Sequence, residues 1–180
     1  MIELNTIGNP HSFETYQLSD GSLVNVKIID TAGQERFKAL SERYYKEADG
    51  CLLVYDISKR NTFDEIKGYY KEKIKENCKD DIKIILLGNK TDLEGEREVP
   101  PEEGAIFAAE NGYMFMETSC LQNKYVADCF ETLIEIVGRE AKEKNQTNDD
   151  EETIRIVKSN KKNKKKKNGM IHMKIVLIIY

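Results

Sequence analysis

Much of what would place this chain in a class at once is missing from it. No apolar run in its 180 residues approaches the ~20 that a bilayer-spanning helix needs, and Ile175 to Tyr180 is far too short for one, so a soluble or peripheral protein is expected. Its four cysteines, Cys51, Cys78, Cys120 and Cys129, show no metal-ligand spacing and follow no secretory leader, which fits a reduced, cytoplasmic compartment. None stands near the C-terminus, so no lipid anchor can be read. The folded region has no internal repeat. No Gly-Lys pair occurs anywhere, which excludes a phosphate loop of the form Gly-x-x-x-x-Gly-Lys-Ser/Thr within these residues.

What is present describes one α/β domain with a polar extension. Hydrophobic residues make up 39% and charged residues 33%, and the net charge of -4 selects no partner. The average hides a segregation of charge: the acidic cluster Asp149-Asp150-Glu151-Glu152 precedes the basic run Lys161-Lys162-Asn163-Lys164-Lys165-Lys166-Lys167. A lysine run without base-reading architecture does not point to nucleic acid. Its ordinary meaning is a solvated disordered arm, with contact to anionic lipid or a nuclear address as the functional alternatives.

The run Asp30-Thr31-Ala32-Gly33-Gln34-Glu35-Arg36-Phe37 follows the apolar stretch Val24 to Ile29 and is the most informative feature. A strand ends there and delivers a carboxylate able to hold Mg²⁺ through water. Next come a glycine whose N–H can face a γ-phosphate and a glutamine able to orient attacking water. In the bland alternative, Asp30 caps a helix and Gly33 makes a turn.

Hydrophobic patterning supplies the frame. Phe13 to Leu18 and Leu23 to Ile29 flank Ser19-Asp20-Gly21-Ser22, whose Asp-Gly pair favours a hairpin. Cys51 to Tyr55 and Ile82 to Leu87 are near-continuous apolar runs, as parallel strands covered on both faces require, and Tyr113 to Met116 is a shorter third. Thr62-Phe63-Asp64-Glu65 has capping-box spacing, Pro100-Pro101-Glu102-Glu103 opens a helix, and Asn111-Gly112 stops one. Val126, Phe130, Leu133, Ile134 and Val137 form one helical stripe for packing on a sheet. The alternation predicts a mostly parallel, doubly wound sheet with ligands at the carboxyl ends of its strands. Beyond Lys144, polarity without periodicity predicts disorder.

Asn89-Lys90-Thr91-Asp92 follows the strand Ile84 to Leu87 and Gly88, where a base-recognition loop has to sit. Together these motifs resemble the Ras superfamily and its small GTPase fold, which belongs with the P-loop NTPases. Arg43-Tyr44-Tyr45-Lys46-Glu47-Ala48 and Leu53-Val54-Tyr55-Asp56-Ile57-Ser58 are similar to Rab proteins, the switches of vesicle traffic. The resemblance implies GTP and GDP as ligands with Mg²⁺. It places Thr6 and Asp30 at the metal, Thr6 and Gly33 at the γ-phosphate, and Gln34 at the attacking water. Asp92 would accept from guanine N1 and N2, Lys90 would pack its stem on the base, and Asn89 and Ser119 would complete the pocket. Cys120 would offer its backbone N–H to guanine O6, in a loop, Glu117 to Leu121, where Leu121 replaces the usual lysine. An aromatic triad for effectors maps to Phe13, Ile29 and Tyr44, with Ile29 in place of the usual tryptophan.

The resemblance runs from Thr6 to about Lys144, which gives a Rab-like domain over 1–145, a charged disordered linker over 146–172 and an apolar segment over 173–180. The family's first strand, phosphate loop and first helix have no counterpart before Thr6, so the domain reads as N-terminally truncated. At about 1.5–3 kcal/mol per charged hydrogen bond, four or five missing phosphate contacts cost at most on the order of 10 kcal/mol, roughly seven decades in affinity. Three readings follow: a guanine-nucleotide switch with weakened binding, a nucleotide-free module that keeps the surface for Rab-type effectors and regulators, or a truncated product without function. Peripheral contact with endomembranes through the lysine run accompanies the first. Met173-Lys174-Ile175-Val176-Leu177-Ile178-Ile179 resembles the strand that opens Rab proteins. Two readings follow: a displaced strand that fills the vacant place, with Ile175 to Ile179 between Val26 to Ile29 and Leu52 to Tyr55, or a read-through or mis-assembled end whose apolar residues carry no role.

Overall fold

In the computed structural model, which describes residues 11–30, 45–157 and 171–179, the Asp-Gly turn folds β1 (His11–Gln17) antiparallel onto β2 (Leu23–Asp30). Gly21 takes a φ of 84°, which a glycine reaches without a steric penalty, and Asp20 accepts the Ser22 N–H at 3.0 Å. The other strands are β3 (Gly50–Asp56), β4 (Lys83–Asn89), β5 (Met114–Glu117) and β6 (Ile171–Ile179). They make one six-stranded sheet of order β1-β2-β6-β3-β4-β5, parallel throughout except for β1.

The C-terminal segment is thus a central strand, in the place that the strand reading of its sequence gives it. Met173, Ile175 and Val176 stand opposite Val26, Ile28 and Ile29 of β2, while Val176, Leu177 and Ile179 stand opposite Cys51, Leu52 and Val54 of β3. The strand's period of two sends Met173, Ile175 and Leu177 to one face and Val176 and Ile178 to the other, and all five are buried. Each such burial contributes about 1.5–3 kcal/mol before ordering costs. Asp49 fixes the register from the other end: its N–H donates to Lys174 O and its carboxylate accepts the Lys174 N–H, both at 2.8 Å.

Helices cover both faces. α1 (Arg60–Glu65) runs through a π-helical turn (Ile66–Tyr70) into α2 (Lys71–Asn77), and α3 (Pro101–Glu110) packs beside them, so Phe63, Ile66, Ile74 and Phe107 share a cluster with Ile29, Tyr55, Val176 and Ile178. α4 (Val126–Val157) lays Phe130, Leu133, Ile134 and Val137 on the opposite face against Val26, Ile28, Leu52 and Ile175. Gly104 lets α3 approach closely, since a Cβ there would lie 2.6 Å from both the Tyr55 hydroxyl and the Phe115 ring.

Two local expectations change. Thr62 does not cap α1; Lys59 precedes the first turn, and the Thr62 hydroxyl donates back to Lys59 O at 2.7 Å while accepting the Asp56 N–H at 3.1 Å. The segment expected as a linker over 146–172 starts as helix, since the backbone of α4 continues to Val157. A packed first half nucleates the helix, and each further residue then adds one hydrogen bond for one residue fixed.

Candidate functional site

Parallel strands deliver their last residues to one edge, and the register of β3 and β4 sets Asp56 beside Asn89. On the far side of β4, the loop after β5 is stitched on by main-chain bonds from Thr118 N–H to Gly88 O at 2.8 Å and from Thr91 N–H to Thr118 O at 3.1 Å. The Asn89 side-chain oxygen accepts from both the Thr118 hydroxyl and the Cys120 N–H, each at 3.2 Å. One amide therefore helps to hold together the two loops expected at the base.

The Ser119 hydroxyl donates to one oxygen of Asp92 and accepts the Gln122 N–H at 3.1 Å. Ser119 is fully buried, so this donor is fixed and orients the carboxylate. Arg97 braces the same turn, bonding Glu94 at 2.6 Å and Glu117 at 2.7 Å, with hydrogen bonds to Glu94 and Glu117 raising its pKa further. An oriented carboxylate beside a free edge can accept two parallel N–H bonds, which guanine offers and adenine does not.

Lys90 links β4 to this turn through a left-handed backbone, φ 72° and ψ 40°, which few non-glycine residues adopt. Its ammonium lies 2.6 Å from the Asp56 carboxylate, whose side chain is 2% exposed. Burial by itself would raise the pKa of Asp56, but the Lys90 ammonium and the two Ser58 donors outweigh it and hold the carboxyl below its ordinary value. Leu121, at the position of the usual lysine, is 84% exposed.

Asn89, Lys90, Asp92, Ser119 and Cys120 thus come together at one corner. The Cys120 N–H is already engaged by Asn89, so a guanine O6 would have to share it. Asp30 ends β2 and stands opposite Leu177 of β6, which puts the expected metal ligand on the same edge of the sheet. Thr6, Gly33, Gln34 and Tyr44 lie outside the described residues, as does Lys161 to Lys167. Of the expected effector triad, Phe13 is 74% exposed on β1. Ile29 departs from that expectation: it is 1% exposed, because neighbours along β2 alternate between faces and both faces are covered.

A sequence profile of the Ras family matches residues 3–139. The chain belongs to the Ras family. Within it the chain is Rab-like: it is 40% identical over 148 residues to the Ras-related protein Rab11D of Nicotiana tabacum, a match covering 82% of this chain and 66% of that protein. The Ras-related protein RABA6a of Arabidopsis thaliana is 38% identical over 147 residues, covering 79% and 62%, and the Ras-related protein Rab11C of N. tabacum is 39% identical over 148, covering 82% and 66%. The chain therefore matches somewhat less than two thirds of the length of these relatives.

In this Rab-like chain, the sequence did not single out Asp56 and Thr118, which contact Lys90 and Asn89. The available signal was a carboxylate ending an otherwise apolar strand, beside a second strand that ends in Asn-Lys. Among the described residues, no helix is long and apolar enough to cross a membrane.

Proposed function

We propose that this chain is a guanine-nucleotide-dependent switch of the Rab type, acting in vesicle traffic, whose guanine-recognition corner is built and whose phosphate contacts are weak. The observation that supports it is the Asp92 carboxylate, held by buried Ser119 beside Lys90 and Asn89. In this reading Asp92 selects guanine, and Thr6, Gly33, Gln34 and Asp30 serve the γ-phosphate, Mg²⁺ and water. A bound Mg²⁺ would supply positive charge against the phosphate oxygens. Regulators and effectors of Rab type would meet the β1 edge at Phe13, and the lysine run would give peripheral contact with an anionic membrane.

The nucleotide-free interaction module is the second reading, and the missing Gly-Lys pair favours it. Titration of the purified chain with fluorescent GDP and Mg²⁺ separates the two. Measurable but weak binding, with guanosine preferred over adenosine and the preference lost in Asp92→Ala, supports the switch. No guanosine binding at millimolar concentration supports the module.

A further inference from the structure

We infer that Asp56 is a positioning residue for the guanine base, acting through Lys90; this rests on the guanine reading above. Asp56 is the last residue of β3 and its side chain is 2% exposed. One of its carboxylate oxygens accepts the Ser58 N–H at 2.9 Å and the Ser58 hydroxyl at 2.6 Å, and the other takes the Lys90 ammonium at 2.6 Å. Its backbone is held as well, by the Thr62 hydroxyl, which accepts its N–H at 3.1 Å, and the next residue, Ile57, donates to Asn89 O at 3.0 Å. The acceptor is therefore fixed in position and orientation.

Lys90 itself is 44% exposed along its side chain, and an exposed lysine ordinarily samples many rotamers. Here the Cα is fixed at the end of β4 and the ammonium at the end of β3, so the four-carbon stem spans the carboxyl ends of two adjacent strands. That is the edge from which Asp92 and Ser119 project. A stem already held in place presents an apolar surface to a flat base without an ordering cost at the moment of binding. A cation held by a partner buried to this degree also resists release, because the carboxylate would be left without its counter-charge. Asp56 in a merely local role, closing the turn to Ser58, predicts none of this for Lys90.

Asp56→Asn in the full chain keeps the shape and the Ser58 bonds and removes the charge. Two readings test the inference. Acetylation of Lys90 by an amine-reactive ester, followed by peptide mass spectrometry against the other exposed lysines, should rise several-fold. Guanosine affinity, followed by NMR titration with adenosine as control, should fall about tenfold, the loss expected for one charged hydrogen bond. Unchanged acetylation, or raised acetylation with unchanged guanosine affinity, overturns the role of Asp56. If the wild type binds no guanosine, the guanine reading fails first and carries this role with it, a result visible before any variant is made. Should Asp56→Asn fail to fold, Ser58→Ala loosens the same carboxylate and should move both readings in the same direction, by about threefold.

Discussion

The central strand β6 and the proposed base-recognition corner are held by opposite means. β6 is joined to β2 and β3 by main-chain ladders between residues more than a hundred positions apart, and it is sealed by side chains buried on both faces. The corner is held by short polar links, within residues 88–124 and from Lys90 across to Asp56, many of them made by side chains. A long-range apolar element decides whether there is a sheet at all, while the local polar elements decide what its edge can recognise. Damage to one should therefore be separable from damage to the other.

The largest effect should come from Val176→Asp. Val176 is fully buried, and an unpaired carboxylate there costs about 4 kcal/mol or more, a large share of a domain's stability. Loss of the cooperative melt by circular dichroism is expected; a native melt would show that β6 is not the sheet's centre. Next comes restoration of the phosphate site. Because β6 fills the place next to β2 and β3, a phosphate loop and helix appended after Tyr180 should raise GDP affinity by about three decades or more. A first strand, loop and helix placed before Thr6 should instead compete with β6, visible as faster hydrogen exchange at Ile175 to Ile178. Equal gains from both grafts would break the distinction.

Asp92→Ala tests the other region and should leave the melt within about 1 kcal/mol while abolishing the preference for guanosine. The smallest effect concerns acid. A carboxyl held below its unfolded pKa contributes stability above that value, about 4, and the contribution is lost as pH falls through the folded-state value. Asp56 is such a group, so the stability gap between wild type and Asp56→Asn should narrow as pH drops from about 6 to below 4, read from melting temperatures across that range. A constant gap would remove the charge of Asp56 from the account.

The frame was legible in the residues because burial on two faces leaves a plain mark: Cys51 to Tyr55, Ile84 to Leu87 and Ile175 to Ile178 are unbroken apolar runs, and all three are interior strands. The proposed base corner was legible as a cluster because Asn89, Lys90 and Asp92 sit at fixed offsets from the end of a strand. The partner of Lys90 was not, since Asp56 meets it through the register of two parallel strands and not through sequence spacing. Ile29 was misjudged for the same reason, as its face depends on what lies across the sheet. Thr62 has the chemistry of a cap, and only the position of the turn at Asp56 to Ser58 shows that its hydroxyl is used elsewhere.

A ribosome makes this chain in an order that its sheet does not respect. The hairpin of β1 and β2 and the block of β3, β4 and β5 emerge first, and the strand that joins them is made after both and after α4. Until then the nascent chain carries two open parallel edges, at β2 and at β3, each able to pair with a neighbouring polypeptide. Completion of this fold thus waits for β6 to leave the ribosome, and protection of those edges until then falls to whatever chaperones hold the chain.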